Sequence, residues 1–504
     1  MHDIILINPK FNISKDNYDS SISVGLLCVA SYLYKNGYKV RIIDGARQKN
    51  YEKLLEDAAL SAKIFGFSVM TTQTANALSD AGKIKKINPG AVIIFGGLHP
   101  TLFPEETALH KLLDIAVHGE GEETVFEIVK LFSFVSANSP REFKNSYIPE
   151  KLKQISGIAF KNKNGNVIKT HKRPLLKMED LPLPNWDLEP SEILENIDII
   201  PTHTSRGCPH RCAFCINAIT KNFWRARPPE KVIEDLKIIA SKDYFKNKPM
   251  RFWDENFFVD KKRAEKIIDM MIEQNLIIPW ETTMRTDYIR TDFINDEFLA
   301  KLKKSGCYLL SFGAESGSNE ILKKIDKDIK REDILNSAKM CVKHSIIPQY
   351  SFMVGLPGEH RKDINLTLSL IEDLIKIDSS VQILGPQAFR PYPGGALYSE
   401  CLKAGWKAPE KIADWARVVK DELNYLSPRN FPWLTDSDLV ESLEAYVRFG
   451  AHPIKSALGS TVKASKYLKL AFILICKLRF KLKFFKMPLE YKLAKKFIIK
   501  SKVY

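Results

Sequence analysis

Three cysteines within eight residues are the side chains of this sequence best suited to chemistry. Cys208, Cys212 and Cys215 form a C-x3-C-x2-C pattern on a predicted loop. Each iron of a [4Fe–4S] cluster needs a terminal ligand, so three thiolates leave one iron open, as catalytic metal sites require. His210 could close a zinc site, but its place between two of the cysteines matches no common zinc spacing. Chance clustering is the third option, and the pattern favours an open iron–sulfur cluster.

The remaining cysteines are scattered singly: Cys28, Cys307, Cys341, Cys401 and Cys476. Eight cysteines in 504 residues are too few for a disulfide framework. Residues Met1–Pro9 carry no basic region and no small-residue cleavage site, which predicts a first strand and not a signal peptide. No segment reaches the roughly 18 uncharged apolar residues that a membrane span needs. We therefore expect a cytoplasmic protein.

Residues 1–135 alternate strand and helix patterns, which predicts an α/β domain with a doubly wound, Rossmann-like parallel sheet. In such sheets ligands lie beyond the carboxyl ends of the strands. The predicted strands are Ile4–Ile7, Val40–Ile43, Ile64–Val69, Ala91–Phe95 and Ile115–Val117. The predicted helices are Val24–Lys35, Thr74–Ile87 and a helix from Glu122 to Leu131.

Residues 196–400 alternate in the same way, and the triad directly follows their first strand. The predicted strands are Ile199–Thr204, Met250–Asp254, Trp280–Arg285, Leu309–Gly313, Pro348–Val354 and Val381–Phe389. Six such units predict a partial (β/α)6 barrel of the TIM type. Residues 136–195 are interpreted as a linker with a hairpin around Asn164-Gly165. Residues 401–460 are interpreted as a helical C-terminal cap.

The triad, with aromatic Phe214 before its last cysteine, resembles the signature of radical S-adenosylmethionine (radical SAM) enzymes. Later segments resemble that family's strand ends in the same order, and they are Phe252–Phe257, Arg285, Ser311–Gly317, Phe352–Glu359 and Phe389–Gly394. The resemblance implies that the open iron binds the amino and carboxylate groups of S-adenosylmethionine. One-electron reduction would then give methionine and a 5′-deoxyadenosyl radical. The implied S-adenosylmethionine contacts are Phe214, Asp254, Glu255, Asn256, Arg285, Glu315, Ser316, Gly355 and Pro357.

The N-terminal domain resembles the cobalamin-binding domain of the B12-dependent radical SAM subfamily. The matching segments include Ser23–Leu27, Gly96–Thr101 and His118–Glu122. Glycines there permit close backbone approach by a nucleotide tail. The D-x-H-x-x-G loop, whose histidine binds cobalt in other B12 carriers, is absent, so a domain that kept the fold and lost the cofactor is the alternative. The candidate cobalamin contacts are Asn8, Gly25, Ser68, Thr71, Thr72, Gly96, Gly97, His99, Gly119 and Glu120.

Together these resemblances imply three cofactors: a [4Fe–4S] cluster, S-adenosylmethionine and cobalamin. They imply methylation of an unactivated carbon, with flavodoxin or ferredoxin as electron donor; cyclisation or rearrangement is the alternative. A tRNA methylthiotransferase would need a second cysteine-rich site before the barrel, where Cys28 stands alone. A non-catalytic cobalamin-binding or electron-transfer module would leave the S-adenosylmethionine motifs unexplained. No residue pattern names a catalytic acid or base.

The net charge of +16 is concentrated in the tail, residues 461–504, which hold 13 Lys and Arg residues and one acid, Glu490. Apolar residues alternate with these charges, which favours an interfacial amphipathic helix on anionic lipid. The alternatives are a basic helix packed on the barrel and, less favoured, a nucleic-acid-binding segment. A tail at the inner face of the membrane would make a lipid substrate as plausible as another small molecule.

Overall fold

The computed structural model describes residues 2–11, 22–138, 147–221, 223–290, 293–415, 428–451 and 466–497. The strands are β1 Ile4–Asn8, β2 Val40–Asp44, β3 Ile64–Ser68, β4 Val92–Gly96, β5 Ile115–Val117, β6 Ile158–Lys161, β7 Val167–Lys169, β8 Ile200–Thr202, β9 Ser205–Arg206, β10 Arg225–Ala226, β11 Met250–Phe252, β12 Trp280–Met284, β13 Cys307–Glu315, β14 Ile347–Val354 and β15 Gln382–Ala388. Parts of the predicted linker (139–146), cap (416–427, 452–460) and tail (461–465, 498–504) lie outside the described residues.

Helices connect and cover these strands. They are α1 Val24–Lys35, α2 Tyr51–Ser61, α3 Thr74–Ile87, α4 Leu98–Leu102, α5 Pro104–Leu109, α6 Glu122–Asn138, α7 Tyr147–Leu152, α8 Ser191–Asn196, α9 Ile216–Thr220, α10 Pro229–Ser241, α11 Lys261–Glu273, α12 Asp287–Arg290, α13 Asp296–Lys304, α14 Asn319–Lys324, α15 Arg331–Lys343, α16 Arg361–Ile377, α17 Gly395–Lys403, α18 Ser437–Gly450, α19 Lys466–Leu482 and α20 Leu489–Phe497. None of them is long and apolar enough to cross a bilayer.

The N-terminal sheet has the strand order β2-β1-β3-β4-β5-β6-β7. Its first five strands in this order are parallel, so their carboxyl ends meet at one edge. β1 is buried at every position, as expected for a parallel strand that is covered on both faces. This arrangement confirms the predicted doubly wound sheet and places its ligand-binding edge.

The predicted hairpin forms, but as part of this sheet. β6 and β7 pair antiparallel around a turn in which the Asn162 amide donates to the Asn166 carbonyl at 2.8 Å. β6 also pairs with β5, with Ile115 opposite Phe160. Phe160 is buried in the core, so the apolar face of the hairpin needs the sheet beneath it. Residues 158–169, which we interpreted as part of a linker, therefore extend the N-terminal sheet.

The second sheet confirms the predicted partial barrel of six strands. All its strands are parallel, in the order β15-β14-β13-β12-β11-β8. Along β14 burial alternates, since successive side chains of a strand point to opposite faces. Tyr350 and Phe352 are buried, whereas Gln349 and Ser351 are half-buried on the other face. That polar face lines the inside of the barrel.

The C-terminal region contacts both domains. α18 packs on β15, and α19 packs on α18 through the buried side chains of Phe472, Ile473, Cys476 and Phe480. Trp415 lies against Phe103 of the N-terminal domain, with ring centroids 5.4 Å apart. The described part of the tail is thus two basic helices, α19 and α20, packed on the rest of the chain, and one face of α19 stays exposed.

Candidate functional site

The triad lies on the loop between β9 and α9. Cys212 is buried, Cys208 and Cys215 are half-buried, and all three are free thiols. The Ala213 amide donates to the Ile325 carbonyl at 2.9 Å, which fastens the loop to the segment after α14. No three His, Cys, Asp or Glu side chains among the described residues are grouped to hold one metal ion. A [4Fe–4S] cluster does not require this, because each thiolate binds a different iron.

Two cations flank the buried thiol. The Arg285 guanidinium lies 3.8 Å from the Cys212 sulfur, held there by Asp287 at 2.9 Å and the Lys327 carbonyl at 2.6 Å. The Lys327 ammonium donates to Glu315 at 2.8 Å. Burial lowers the pKa of Lys327, but the charges of Glu315 and Cys212 outweigh it and hold that pKa above its usual value. Positive charge at this position complements the negative charge of an iron–sulfur cluster and its thiolate ligands.

Burial raises the pKa of Cys208, while hydrogen bonds from the His210 backbone and the Asn256 side chain oppose that rise. Asn256 also donates to the Tyr288 hydroxyl at 2.7 Å. Three free thiols, two adjacent cations and an amide donor therefore fit a cluster whose net charge is negative.

A cavity inside the barrel lies beside the triad. We call it the barrel cavity; its lining is Glu255, Asn256, Thr283, Met284, Arg285, Ser311, Phe312, Gly313, Lys327, Gln349, Ser351 and Leu384. Three predicted S-adenosylmethionine contacts, Glu255, Asn256 and Arg285, are among these residues. Two more, Phe214 and Glu315, line the neighbouring cavity and reach Lys327, whose ammonium lies 5.5 Å from the centre of the Phe214 ring.

Four other predicted contacts have partners inside the protein. Asp254 accepts hydrogen bonds from the Thr204 amide (2.7 Å) and hydroxyl (2.6 Å), and so fastens the chain just before the triad. Ser316 is fully buried and bonds the Thr367 hydroxyl at 3.2 Å.

Gly355 (φ +81°) and Pro357 form the turn after β14. The Gly355 carbonyl accepts from the Trp433 indole at 2.9 Å, and the Pro357 carbonyl accepts from Lys324 at 2.5 Å. These bonds shape the walls of the site, and contact of Asp254, Ser316 and the turn with S-adenosylmethionine stays a prediction.

The neighbouring cavity, of about 700 Å³, lies between the ends of β14 and β15 and helix α18. We call it the cap cavity; its lining is Phe214, Glu315, Ser351, Phe352, Met353, Ile383, Leu384, Gly385, Gln387, Ala388, Phe389, Arg390, Tyr392, Pro428, Val440, Glu441, Glu444 and Arg448. Ser351 and Leu384 line both the cap cavity and the barrel cavity. The two cavities are therefore adjacent.

A third cavity, the sheet cavity, lies at the carboxyl edge of the N-terminal sheet. Six predicted cobalamin contacts line it: Gly25, Ser68, Gly96, Gly97, Gly119 and Glu120. A Cβ added at Gly25 or Gly119 would meet no atom within 4 Å, so this wall is open backbone. Gly97 has φ +94°, and a Cβ there would lie 2.9 Å from the Val69 nitrogen. Such a wall fits a large cofactor that lies directly on the main chain.

The other predicted cobalamin contacts are outside the lining of this cavity. Asn8 donates to Asp44 at 3.0 Å and accepts from Gln73 at 2.9 Å. Thr71 is buried, and Thr72 is half-buried beside it. Polar side chains at these strand ends are thus bonded to each other.

His99 is fully buried between Phe103 and Trp415, and its Nδ1 lies 3.4 Å from the Thr71 hydroxyl. Burial lowers the pKa of His99 to about 3, so the ring is neutral.

Sequence analysis missed three residues that line the sheet cavity, Arg206, Arg225 and His203, and two of them bond the predicted residue Glu120. Glu120 accepts from Arg206 at 3.2 Å and from Arg225 at 2.6 Å, and Arg206 also reaches Glu122 at 2.6 Å. These ion pairs join the sheet domain to the barrel between residues 84 to 105 positions apart in the sequence, so no local sequence pattern predicts them. His203 lines the sheet cavity from the barrel side.

Glu255 lines both the sheet cavity and the barrel cavity. Its Oε2 accepts from the Gly207 amide at 3.1 Å, one residue before the triad. Burial raises the pKa of Glu255, and the Gly207 bond opposes that rise. Sheet cavity, triad and barrel cavity therefore meet at one carboxylate.

Comparison with known proteins agrees with this geometry. Residues 202–371 match the family model of the radical SAM superfamily, and residues 18–129 match that of the B12 binding domain. An uncharacterised methyltransferase of Pyrococcus horikoshii is 31% identical over 390 residues, covering 75% of this chain and 78% of that protein. An anaerobic magnesium-protoporphyrin IX monomethyl ester cyclase of Rubrivivax gelatinosus is 24% identical over 74% of this chain and 65% of its own length.

Among solved structures, TsrM from Kitasatospora setae, a radical S-adenosylmethionine methyltransferase with cobalamin and a [4Fe–4S] cluster bound, has the same fold. The TM-score is 0.58 and the identity 15%, over 74% of this chain and 73% of TsrM. The chain therefore belongs to the radical SAM superfamily, as an enzyme of its cobalamin-dependent branch whose cofactors are a [4Fe–4S] cluster, S-adenosylmethionine and cobalamin.

Proposed function

We propose that this enzyme methylates an unactivated carbon of a small-molecule substrate. The adjacency of the three cavities carries the proposal: the sheet and barrel cavities share Glu255, and the barrel and cap cavities share Ser351 and Leu384. When bound, the cluster supplies the electron that cleaves S-adenosylmethionine, and cobalamin carries the methyl group. Three adjacent cavities suit a reaction that needs both cofactors and a third molecule.

The residues of the barrel cavity would bind and orient S-adenosylmethionine. Arg285 would face the carboxylate of the methionine part of S-adenosylmethionine, and Glu255 its amino group. Lys327 and Glu315 form a buried ion pair whose side chains are only 12% and 9% exposed. Since burial strengthens such electrostatic contacts, this pair fixes the wall between cluster loop and cap cavity and keeps water from it.

The sheet cavity would hold cobalamin by its main chain. Gly25, Gly97 and Gly119 would let the cofactor lie against the backbone, and Ser68 offers a hydroxyl. His99, sealed behind Trp415, gives no support for a histidine bond to cobalt from this edge.

The cap cavity supports a substrate with both apolar and charged parts. Phe352, Phe389 and Leu384 give its wall apolar surface, and Glu444 and Arg448 of α18 add charge of both signs. Burial raises the pKa of Glu444, while Arg448 and Arg390 oppose that rise. A small molecule with an apolar body and a charged group matches this lining.

The product balance tests the proposal. The methyl group comes from one S-adenosylmethionine, leaving S-adenosylhomocysteine, and the hydrogen abstraction consumes a second, leaving methionine and 5′-deoxyadenosine. Anaerobically reconstituted enzyme with cobalamin should therefore form both products in about equal amounts when turnover is coupled to a methylated product. The Cys208→Ala/Cys212→Ala/Cys215→Ala variant should form no 5′-deoxyadenosine.

Cyclisation or rearrangement is the second candidate, because the Rubrivivax relative is named a cyclase. The same experiment separates the two, since cyclisation needs no transferred methyl group. 5′-Deoxyadenosine without S-adenosylhomocysteine would contradict methylation.

The exposed face of the tail supports contact with anionic lipid. α19 exposes Tyr467, Leu468, Leu474, Ile475, Leu478 and Leu482 on one stripe, and Tyr467 is 83% exposed. Lys481 and Lys486 are exposed beside that stripe. Apolar side chains interleaved with cations match the interface of an anionic bilayer.

Co-sedimentation with phosphatidylglycerol vesicles should therefore exceed that with phosphatidylcholine vesicles. Leu478→Glu/Leu482→Glu should weaken it about tenfold, whereas Leu60→Glu/Leu109→Glu, at exposed leucines of the N-terminal domain, should not. Equal binding to both vesicle types would contradict lipid contact.

A further inference from the structure

A basic cavity of about 730 Å³ opens on the outer side of the cysteine loop. We call it the cluster-loop face; its lining is Pro209, His210, Arg211, Arg290, Asn319, Lys323, Asp326, Asp328, Ile329 and Lys330. It shares no lining residue with the sheet, barrel or cap cavities. Neither S-adenosylmethionine nor cobalamin accounts for it.

The cluster-loop face is the outer surface of the site that would hold the cluster. Pro209, His210 and Arg211 are the residues between the ligands Cys208 and Cys212, and Pro209 and Arg211 are exposed. The opposite wall, Lys323 to Lys330, is bonded to the loop through the Ala213 amide and Ile325 carbonyl. From the same segment, Lys327 reaches inward to Glu315. A molecule seated on this face is separated from the thiols by the loop alone.

The other two sides of the loop have their own roles. Gly207 lines the sheet cavity, and the Asn256 and Arg285 side chains beside the thiols line the barrel cavity. The cluster-loop face is thus a third approach to the loop, and it opens to solvent.

The net charge of the cluster-loop face is positive. Arg211, Lys323 and Lys330 are exposed, and none of them forms an ion pair with a side chain of the described residues. Arg290 pairs with Asp333 at 2.9 Å.

The acids of the lining are Asp326 and Asp328, which are exposed as well. The three cations other than Arg290 still outnumber these two acids.

We infer that the cluster-loop face is where a small acidic electron-carrier protein docks to reduce the cluster. The inference rests on the proposed radical chemistry, which consumes one electron from outside for each cleavage. The carrier loses that electron, the cluster gains it, and no proton or other group moves between the two proteins. Opposite charge steers such partners together, and electron-transfer complexes are small and short-lived, as suits a shallow charged face.

Reversal of the free charges tests the docking. The variant is Arg211→Glu/Lys323→Glu/Lys330→Glu, and the control is Lys53→Glu/Lys163→Glu/Lys237→Glu, three exposed lysines away from the loop. The readout is 5′-deoxyadenosine formation, driven either by reduced flavodoxin or by dithionite. Dithionite is a small reductant that needs no docking surface.

With flavodoxin the variant should be at least about tenfold slower than the unaltered enzyme at low salt, chiefly through a raised KM for flavodoxin. With dithionite it should stay within about twofold, and the control should stay within about twofold with either reductant. Equal loss with both reductants would show that the three cations serve the cluster itself. An unchanged flavodoxin-driven rate would place docking elsewhere. Either result overturns the inference.

A binding measurement needs no cluster. Titration of flavodoxin into the cluster-free protein should give a dissociation constant about tenfold weaker for the variant than for the control at low salt. The difference should shrink at about 0.5 M NaCl, because salt screens exposed charges. If the unaltered enzyme makes no 5′-deoxyadenosine even with dithionite, the proposed function fails, while this titration still decides whether an acidic carrier binds here.

Discussion

The sheet cavity and the barrel cavity meet at Glu255 but differ in the kind of residues that line them. Seven of the residues that line the sheet cavity are glycines, and its carboxylate Glu120 is already bonded to Arg206 and Arg225. The barrel cavity is walled by side chains, with Arg285, Lys327 and Asn256 next to the thiols. The sheet cavity offers a cofactor open backbone, whereas the barrel cavity offers buried, charged side chains.

This difference decides what a mutation can do at each site. Removal of a charge from the barrel cavity leaves its partner buried and unpaired, which costs stability as well as chemistry. Addition of a single methyl group to the sheet cavity fills space that the cofactor needs and alters few contacts of the protein itself. Four substitutions test the contrast.

Lys327→Met should have the largest effect. It leaves Glu315 buried without its partner at 2.8 Å, and we expect a loss of about 3 kcal/mol in unfolding free energy. We also expect about a 100-fold loss in 5′-deoxyadenosine formation. Denaturant unfolding of the cluster-free protein and a product assay measure the two effects.

Lys327→Met/Glu315→Gln is the control, because it removes both charges and should recover much of the stability without the activity. Full stability in the single variant would mean that the pair does not hold the wall.

Gly119→Ala should weaken cobalamin binding and spare the barrel. Its φ of +88° costs alanine about 1 kcal/mol, and the new Cβ would stand in the open space of the sheet cavity. We expect cobalamin affinity to fall at least about tenfold, measured by absorbance titration.

Gly37→Ala is a matched control. Gly37 has φ +85° and equally open surroundings, and it lies outside the sheet cavity. The control should lose the same stability and bind cobalamin normally. Weakened binding in both variants would trace the effect to backbone strain.

Glu120→Gln should weaken the ion pairs between the sheet domain and the barrel and lower the unfolding free energy by about 2 kcal/mol. Burial raises the pKa of Glu120, but Arg225 and Arg206 outweigh it and hold that pKa below its usual value. A carboxyl whose pKa is lower in the folded protein contributes its full stabilisation of the fold above its unfolded pKa of about 4.3. This contribution is lost as the pH falls from there through the pKa of the folded protein.

The difference in unfolding free energy between the unaltered protein and Glu120→Gln should thus be largest at neutral pH and shrink below about pH 4. A constant difference over that range would show that Glu120 acts through packing and not through charge.

His99→Leu should have the smallest effect on function. Because His99 is sealed from the sheet cavity, cobalamin affinity should stay within about twofold. Burial holds the pKa of His99 at about 3, so as pH falls below about 6.5 the unfolded chain takes up a proton that the folded protein refuses. The unfolding free energy of the unaltered protein should therefore fall by up to about 1.4 kcal/mol per pH unit below about pH 6.5. That of the leucine variant should fall less. A large loss of cobalamin affinity would place His99 at the cofactor after all.

The sequence predicted elements well where periodicity was local. The helices Val24–Lys35 and Thr74–Ile87 and the strand Ile115–Val117 have the predicted bounds. The hairpin at 158–169 formed as its turn residues indicated, but its pairing with β5 depends on burial of Phe160 against a strand more than 40 residues away. A turn is determined by neighbouring residues, whereas the position of a strand in a sheet depends on residues far away in the sequence.

Site residues divide in the same way. Glycines such as Gly97 and Gly119, predicted as cobalamin contacts, line the sheet cavity, because glycine at a strand end leaves the backbone open whatever surrounds it; their contact with cobalamin stays a prediction. Polar residues such as Asn8 and Asp254 were not found in a cavity, because a polar side chain bonds to whichever partner the fold brings within reach. Lys327 was missed because only the fold brings it to Glu315 and the triad.

The position of Glu255 on two cavities makes the binding of the two large cofactors a thermodynamically linked pair. A ligand that fixes this carboxylate from the barrel side changes what the sheet side presents to cobalamin, and the reverse holds as well. Such coupling is reciprocal, so the factor by which S-adenosylmethionine alters the affinity for cobalamin equals the factor by which cobalamin alters the affinity for S-adenosylmethionine. A single side chain would thereby couple the occupancy of the two sites without favouring either order of binding.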